Sequence, residues 1–281
     1  MSGTLYVVAT PIGNLGDLTL RAIETLKACD RVAAEDTRRT RTLLAHLGIE
    51  GKQLDALHAH SSERDVERAT EQLRAGESIA LVTDAGTPAV SDPGGALVEA
   101  AIAAGMRVVP IPGPSAVLAA LVASGLAGDG RFRFVGFLPR DGTGRRDAIA
   151  LVCATAETVI VFEAPSRTVD TLRDLAEATP ARRACVAREL TKIYEELVRG
   201  TLEELAKDPR EWRGEVAIVL APYAPESREG IDDAALDARI DAGLQGGIHA
   251  KGLAERLAAW SGRSKRDVYA RVLARKPFKA P

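Results

Sequence analysis

Short apolar runs recur through the first part of the chain. Each is followed by a longer stretch with apolar residues every three or four positions. The runs Thr4–Ala9, Arg31–Glu35, Ser78–Thr83 and Arg107–Ile111 predict strands, and Leu18–Ala28, Arg38–Leu47, Ser62–Ala75 and Gly94–Ala104 predict helices. Strands alternating with helices build a mostly parallel sheet with helices on its faces. The run SIALVT at Ser78–Thr83 is almost unbroken, as expected of a strand covered on both sides.

The proline-rich Pro110–Pro114 closes this half. A helix over Ser115–Ser124 leads into the glycine-containing stretch Gly125–Gly130. Further strands are predicted at Phe132–Leu138, Thr158–Glu163, Ala184–Arg188 and Glu215–Leu220, with helices at Arg167–Ala178 and Thr201–Lys207. Beyond Pro225 the chain turns polar, with one weak helix near Asp232–Ala242. Two helical stretches, Ala250–Trp260 and Lys265–Arg275, then follow, joined by a Ser-Gly-Arg-Ser turn. The expected organisation is an α/β domain over residues 1–114, a second α/β domain over 115–223, and a linker with a basic helix-turn-helix-like extension over 224–281.

Composition narrows the class. A length of 281 residues and 46% hydrophobic content suit two globular domains with sizeable cores. No run of 18 apolar residues predicts a membrane span, and the opening MSGTLYVVATP does not read as a signal peptide. Cys29, Cys153 and Cys185 stand apart, without a CxxC pair, and read as reduced thiols of a cytoplasmic protein. The net charge of −2 hides an asymmetry. His249–Pro281 carries nine Lys/Arg against two acids, a net of +7 that leaves −9 for the rest. A basic end on an acidic body points to a polyanionic partner, against the plainer alternative of a solvated helix face.

Four loops that follow strands could carry chemistry. The first, Thr10–Asp17, holds glycines at 13 and 16. It has neither GxGxxG nor GxxxxGK[ST], so it is either a turn that lets a ligand approach the backbone or a plain structural turn. The second, Asp84–Gly94, follows the buried strand, where ligands of open α/β sheets bind. Its Asp84 and Asp92 can instead cap turns or helices, and for Asp92, before Pro93, capping is the favoured reading. In Pro112–Ala116, Ser115 is equally an N-cap and a cleft residue. In Ala34–Arg38, two carboxylates and an arginine suit acid/base work, or Asp36 or Thr37 simply caps a helix. The His58/His60 pair lacks a third ligand nearby, so no metal site is expected.

The segments LYVVATPIGNLGDLTLRA, AAEDTRRTRTLL, VTDAGTPAVSDPG, PIPGPSAVLAAL, FVGFLPR, FEAPSR and RELTKIYEE occur in that order between residues 4 and 221. With them the chain resembles the ribosomal RNA small subunit methyltransferase I family of the tetrapyrrole methylase superfamily. The resemblance implies a class III methyltransferase-like fold, with two α/β domains around a cofactor cleft and a small helical C-terminal extension. It also implies S-adenosyl-L-methionine as cofactor, a homodimer, and 2′-O-methylation of a cytidine ribose in the decoding centre of 16S rRNA, within the small ribosomal subunit. The tetrapyrrole members' GxGxGD-like loop is replaced here by Ala9–Asn14, against a porphyrinoid substrate. The family's HxHN-like segment reads His58-Ala59-His60-Ser61.

Carried onto this sequence, the cofactor would be held by Pro11, Ile12 and Gly13, by Ala85, Gly86, Thr87 and Val90, by Ser115 and Ala116, and by Phe162 and Ala217. Glu35, Asp36 and Glu189 are the candidate proton acceptors. Lys192 is a base if its pKa is lowered, or else stabilises the developing alkoxide. Arg38 and Arg167 are candidate phosphate clamps, and Arg263, Lys265 and Arg266 are expected to dock RNA. Two rival readings are methylation of a tetrapyrrole carbon and a nucleic-acid-binding regulator with an inactive cleft.

Overall fold

A computed structural model describes residues 3–58, 61–223, 233–245, 248–261 and 263–275. The first half forms β1 (Thr4–Val8), α1 (Leu20–Ala28), β2 (Arg31–Ala34), α2 (Thr37–His46), β3 (Gln53–Ala56), α3 (Glu63–Arg74), β4 (Ile79–Val82), α4 (Gly95–Ala103) and β5 (Arg107–Ile111). The strands pair in the order β3-β2-β4-β1-β5, all parallel. Strand alternation splits the core in two. Val8, Val32, Ala80 and Val82 face α1 and α2 through Ala22, Leu26 and Leu44. Leu5, Ala33, Ile79 and Leu81 face α3 and α4 through Ala69, Leu73, Leu97 and Ala101.

The second half forms α5 (Ala116–Ser124), β6 (Phe132–Phe137), α6 (Gly142–Ala154), β7 (Thr158–Glu163), α7 (Thr168–Ala178), β8 (Arg183–Arg188), β9 (Glu196–Thr201), α8 (Leu202–Lys207) and β10 (Val216–Leu220). Its sheet runs β6-β7-β10-β8-β9. Only β6 and β7 pair in parallel; β7–β10, β10–β8 and β8–β9 are antiparallel. Helix α5 covers one face, setting Val117, Ala120 and Leu121 against Ile160, Cys185, Ala217 and Val219. Leu172, Leu175, Leu202 and Leu205 cover the other face, against Val159, Val161, Val186 and Ile218. All three cysteines are buried and unpaired, and burial raises each thiol's pKa.

Strand β6 contains a bulge. Phe134 aligns with Ile160 but Phe137 aligns with Phe162, so three steps of β6 span two of β7. Gly136 takes up the extra residue at φ +68°, a conformation open to glycine at little steric cost. The bulge inverts the strand's alternation. Val135 and Leu138 pack in the α7 core, whereas the Phe134 and Phe137 rings both lie against Phe162.

Residues 1–223 form one compact unit and 224–281 another. In the second, α9 (Asp233–Gln245), α10 (Ala250–Ser261) and α11 (Lys265–Arg275) surround a core of Leu236, Ile240, Leu253, Leu257, Val268 and Val272. Asp233, Asp237 and Asp241 follow one another at single-turn intervals along α9. Arg271 binds Asp237 at 2.6 Å, Arg275 binds Asp241 at 2.5 Å, and Arg263 binds Asp233 at 2.5 Å. Much of the basic charge counted in the sequence is thus met within the unit itself.

Three elements depart from the sequence expectation. Strands β3 and β9 carry no strong apolar signal, and helix α6 carries one only in its second half, Ala148–Ala154. β3 and β9 are edge strands whose residues are half-buried or exposed, and α6 opens on the polar sequence Gly-Thr-Gly-Arg-Arg-Asp. His60 lies outside the described residues.

Arg182 ties the second half together. It is only 6% exposed and has no carboxylate partner among the described residues. Its guanidinium donates to the carbonyls of Ala221 (2.7 Å), Val152 (2.9 Å), Thr155 (3.3 Å) and Glu157 (3.3 Å). Burial pulls its pKa down, but the four carbonyl dipoles keep the charge solvated. Arg182→Met removes this donor from all four carbonyls, of which Val152 keeps the Thr155 amide, and is expected to lower unfolding stability by about 3 kcal/mol, read by urea denaturation. A loss below about 1 kcal/mol would mean that water replaces the guanidinium.

Candidate active site

The first sheet dictates where a cleft can form. The chain leaves β1 and β2 towards the α1/α2 face and leaves β4 towards the α3/α4 face. β4 lies between β1 and β2, so its carboxyl end has a diverging neighbour on each side. Such points in open α/β sheets hold ligands. The loops that meet here are stitched together. Thr10 and Gly86 exchange backbone hydrogen bonds of 2.9 and 3.0 Å, and the Thr10 hydroxyl donates to the Thr83 carbonyl. The Thr87 hydroxyl donates to the Pro114 carbonyl at 3.1 Å. Gly86 sits at φ +88°, with Cγ2 of Ile12 3.4 Å from where a Cβ would stand.

A cleft of about 410 Å³ opens at this point, with the second sheet as its far wall. Of the residues expected to hold a cofactor, Ile12, Ala85, Gly86, Thr87, Val90, Ser115, Ala116, Phe162 and Ala217 line it. Ser115 does both things weighed for it. Its hydroxyl caps α5 by accepting from the Leu118 amide, and the residue faces the cleft. Pro11 and Gly13 are not on the wall. The Gly13 turn makes room for protein rather than ligand: a Cβ there would stand 2.3 Å from Cγ of Lys192 and 3.1 Å from the Leu190 carbonyl oxygen.

Acidic groups gather at one end of the cleft. Glu35 Oε2 accepts from the Thr83 hydroxyl at 2.6 Å and from the Asp84 amide at 3.2 Å. Asp84 accepts from the Asp36 amide at 3.1 Å and pairs with Arg39 at 3.2 Å. Burial and the Glu35 charge raise its pKa. Asp92, on the same wall, is pushed up to about 6, mostly by burial and then by Glu35, against a hydrogen bond from Thr83. Glu35, Asp84 and Asp92 thus gather at this end, Glu163 and Glu215 line the cleft as well, and Arg39 is, among the described residues, the one guanidinium on its wall. Nearby Glu163 is neutralised from behind by Arg167 at 2.8 Å and by the Thr171 hydroxyl.

Asp92 does not cap α4, whose N-cap is Gly94 at φ +119°. Sequence reading missed it as a site residue because an aspartate before proline has an ordinary capping role. The available signal was its place in the same loop as Asp84, after the most apolar strand. Arg39 and Glu215, also on the wall, were missed too.

The other catalytic candidates lie elsewhere. Asp36 caps α2, and its carboxylate is held by Arg38 at 2.8 Å, which lowers its pKa. Glu189 and Lys192 form an ion pair of 2.7 Å, extended to Glu215 at 2.9 Å, and neither lines the cleft. Burial pulls the Lys192 pKa down, but the two carboxylates outweigh it and the pKa is raised; that of Glu189 is lowered by the Lys192 hydrogen bond. The base role for Lys192 needed the opposite shift. The Arg167 guanidinium is engaged internally by Glu163 and the Leu138 carbonyl. In the C-terminal unit, Arg263 and Lys265 are paired with Asp233 and Glu255, and Arg266 is exposed. Among the described residues, no helix is long and apolar enough to cross a membrane, and no group of three or more His, Cys, Asp or Glu is placed to hold a metal ion.

The raised pKa of Asp92 makes a stability prediction. Between about pH 4 and pH 6 folded Asp92 holds a proton that the unfolded chain has released, so its contribution to stability falls as pH rises through that window. Asp92→Asn removes this cost. It is expected to match the parent protein below pH 4 and to exceed it by about 1 kcal/mol above pH 7, once solvent screening is allowed for. Thermal melts across pH 3–8 test this; a variant less stable at pH 8 would contradict it.

Residues 4–206 match the model of the tetrapyrrole (corrin/porphyrin) methylases. Ribosomal RNA small subunit methyltransferase I of Xylella fastidiosa strain Temecula1 is 50% identical over 236 residues, 82% of this chain and 86% of that protein. The protein of the same name from Neisseria meningitidis serogroup A is 42% identical over 273 residues, 96% of this chain and 92% of its own. Among solved structures, the fold matches the methyltransferase CobJ with a TM-score of 0.60 at 20% identity, over 79% of this chain and 95% of that one. It also matches uroporphyrin-III C-methyl transferase of Thermus thermophilus complexed with S-adenyl homocysteine, with a TM-score of 0.56 at 22% identity, over 78% and 97%. The chain belongs to the tetrapyrrole methylase family and, within it, to the ribosomal RNA small subunit methyltransferase I family.

Proposed function

We propose that this chain transfers a methyl group from S-adenosyl-L-methionine to the 2′-hydroxyl of a cytidine ribose in 16S rRNA of the small ribosomal subunit. The observation that carries this reading is the cleft itself, with small residues along its wall and an excess of carboxylates at one end. Ala85, Gly86, Ala116 and Ala217 keep the wall free of bulky side chains. Glu35, Asp84 and Asp92 against Arg39 favour a ligand that carries positive charge. The relatives' name supplies the acceptor. We assign residues 1–114 and 115–223 to two domains that close on the donor, and 224–281 to an accessory extension.

S-Adenosylmethionine supplies an electrophilic methyl on a sulfonium centre. The cofactor-facing residues Ile12, Ala85–Thr87, Val90, Ser115, Ala116, Phe162 and Ala217 hold it, and alignment of donor and acceptor supplies roughly 7–11 kcal/mol of the barrier. The ribose hydroxyl must lose a proton. Asp92, pushed up to about 6 by burial and then by the Glu35 charge, accepts it. Outside the cleft, exposed Lys251, Arg256 and Arg266 contact phosphates without reading sequence. A homodimer suits α5, where Leu118 and Val122, one turn apart, are 51% and 75% exposed.

Two measurements test this reading. With tritiated S-adenosylmethionine and small subunits lacking the mark, label is expected on ribose. Glu35→Gln is expected to cut turnover about a hundredfold, far more than it changes donor affinity. Donor binding without transfer to subunits or to stripped rRNA would overturn the assignment. Arg266→Ala is expected to weaken subunit binding several-fold and to flatten the dependence of log affinity on log salt by about one unit. An unchanged slope would remove Arg266 from the RNA contact.

A further inference from the structure

We propose that Phe137 is the platform on which the target base of the RNA stacks while its ribose enters the cleft. This rests on the RNA reading above. It begins from the bulge in β6. In a regular strand of the same length, position 137 would share a face with Val135 and point into the α7 core; because the bulge at Gly136 absorbs one residue, the Phe137 ring stands on the cleft side. Bulges beside active sites commonly re-aim one side chain. The re-aimed side chain here is a large apolar ring that stays 60% exposed at the mouth of the cleft. The fold gains little burial from it.

The ring nevertheless has an aromatic neighbour behind it. Phe162 meets it at 5.7 Å and 62°, and Phe134 meets Phe162 in turn at 4.8 Å and 65°. Such edge-to-face contacts fix an aromatic ring without stacking on it. The acidic end of the same cleft would receive the ribose hydroxyl, and the exposed Arg39 on its wall is available to the RNA backbone. A ribose cannot reach a recessed carboxylate while its base remains stacked in RNA, so the nucleotide must be splayed out. An exposed aromatic ring at the rim offsets the lost stacking, and does so for any base.

The test uses the full-length chain and its Phe137→Ala, Phe137→Leu and Phe137→Trp variants, with small subunits lacking the mark. The side chain is mostly exposed, and Phe137→Leu preserves apolar bulk if Phe137→Ala disturbs β6. Phe137→Ala and Phe137→Leu are expected to lower kcat/KM for subunits by about 10- to 100-fold, and Phe137→Trp to stay within about threefold of the parent. Donor affinity, read by calorimetry, is expected to stay constant in all three. Parent-like activity in Phe137→Ala overturns the proposal, as does full activity in Phe137→Leu, which would make the ring mere packing. Weakened donor binding also overturns it, by assigning the ring to the donor. If the parent chain itself transfers no methyl to RNA, the reading above fails first; the variants are informative only when the parent is active.

Discussion

The arrangement of this molecule depends on the place of β4 in its sheet. A strand whose neighbours on both sides send their chains to the opposite face must end in an opening. The loop after β4 therefore has free space beside it, and the pairing of Thr10 with Gly86 gives that space a fixed edge. Ile12, just beyond the pairing, packs with Val117, Ile160 and Ala217, so the same edge joins the first sheet to the core of the second. Cleft and junction arise from one constraint.

Helix α5 completes that junction. It follows the last strand of the first sheet yet buries Val117, Ala120 and Leu121 against the second. Its capping serine lies on the cleft wall, so hydrophobic burial of the helix fixes a polar group at the site. Fully burying a valine or leucine contributes about 1.5–3 kcal/mol, more than a single cap hydrogen bond, so packing governs where Ser115 stands. The acidic end works the other way: the strands hold Glu35 and Asp92 close together, at a cost in pKa rather than in packing.

The sequence made the first sheet legible because parallel strands covered on both faces leave continuous apolar runs. The half-exposed edge strands β3 and β9 left none, and α6 went unread because its polar opening precedes the apolar run Ala148–Ala154. Most cofactor-facing residues could be recognised, since Ala85–Thr87, Ser115 and Phe162 lie directly after or within strong strands or at a cap. Charge was harder to read. The Lys192 pKa depends on Glu215, 23 positions away, and the basic helix α11 is matched by aspartates about thirty positions earlier. Pairings at such separations follow from tertiary structure and leave no local pattern. Asp92 shows the same limit: cap and cleft residue look alike until the helix start is placed at Gly94.

The bulge at Gly136 makes backbone conformation at one position the determinant of what the far wall presents. Phe134 and Phe137 are three positions apart, and a regular strand of the same length would set them on opposite faces, turning Phe137 inward and Leu138 towards the cleft. The aromatic rim thus depends on a residue that bears no side chain: a β-branched residue at 136, which disfavours φ +68°, would press the strand towards regular alternation and exchange its faces beyond Phe134.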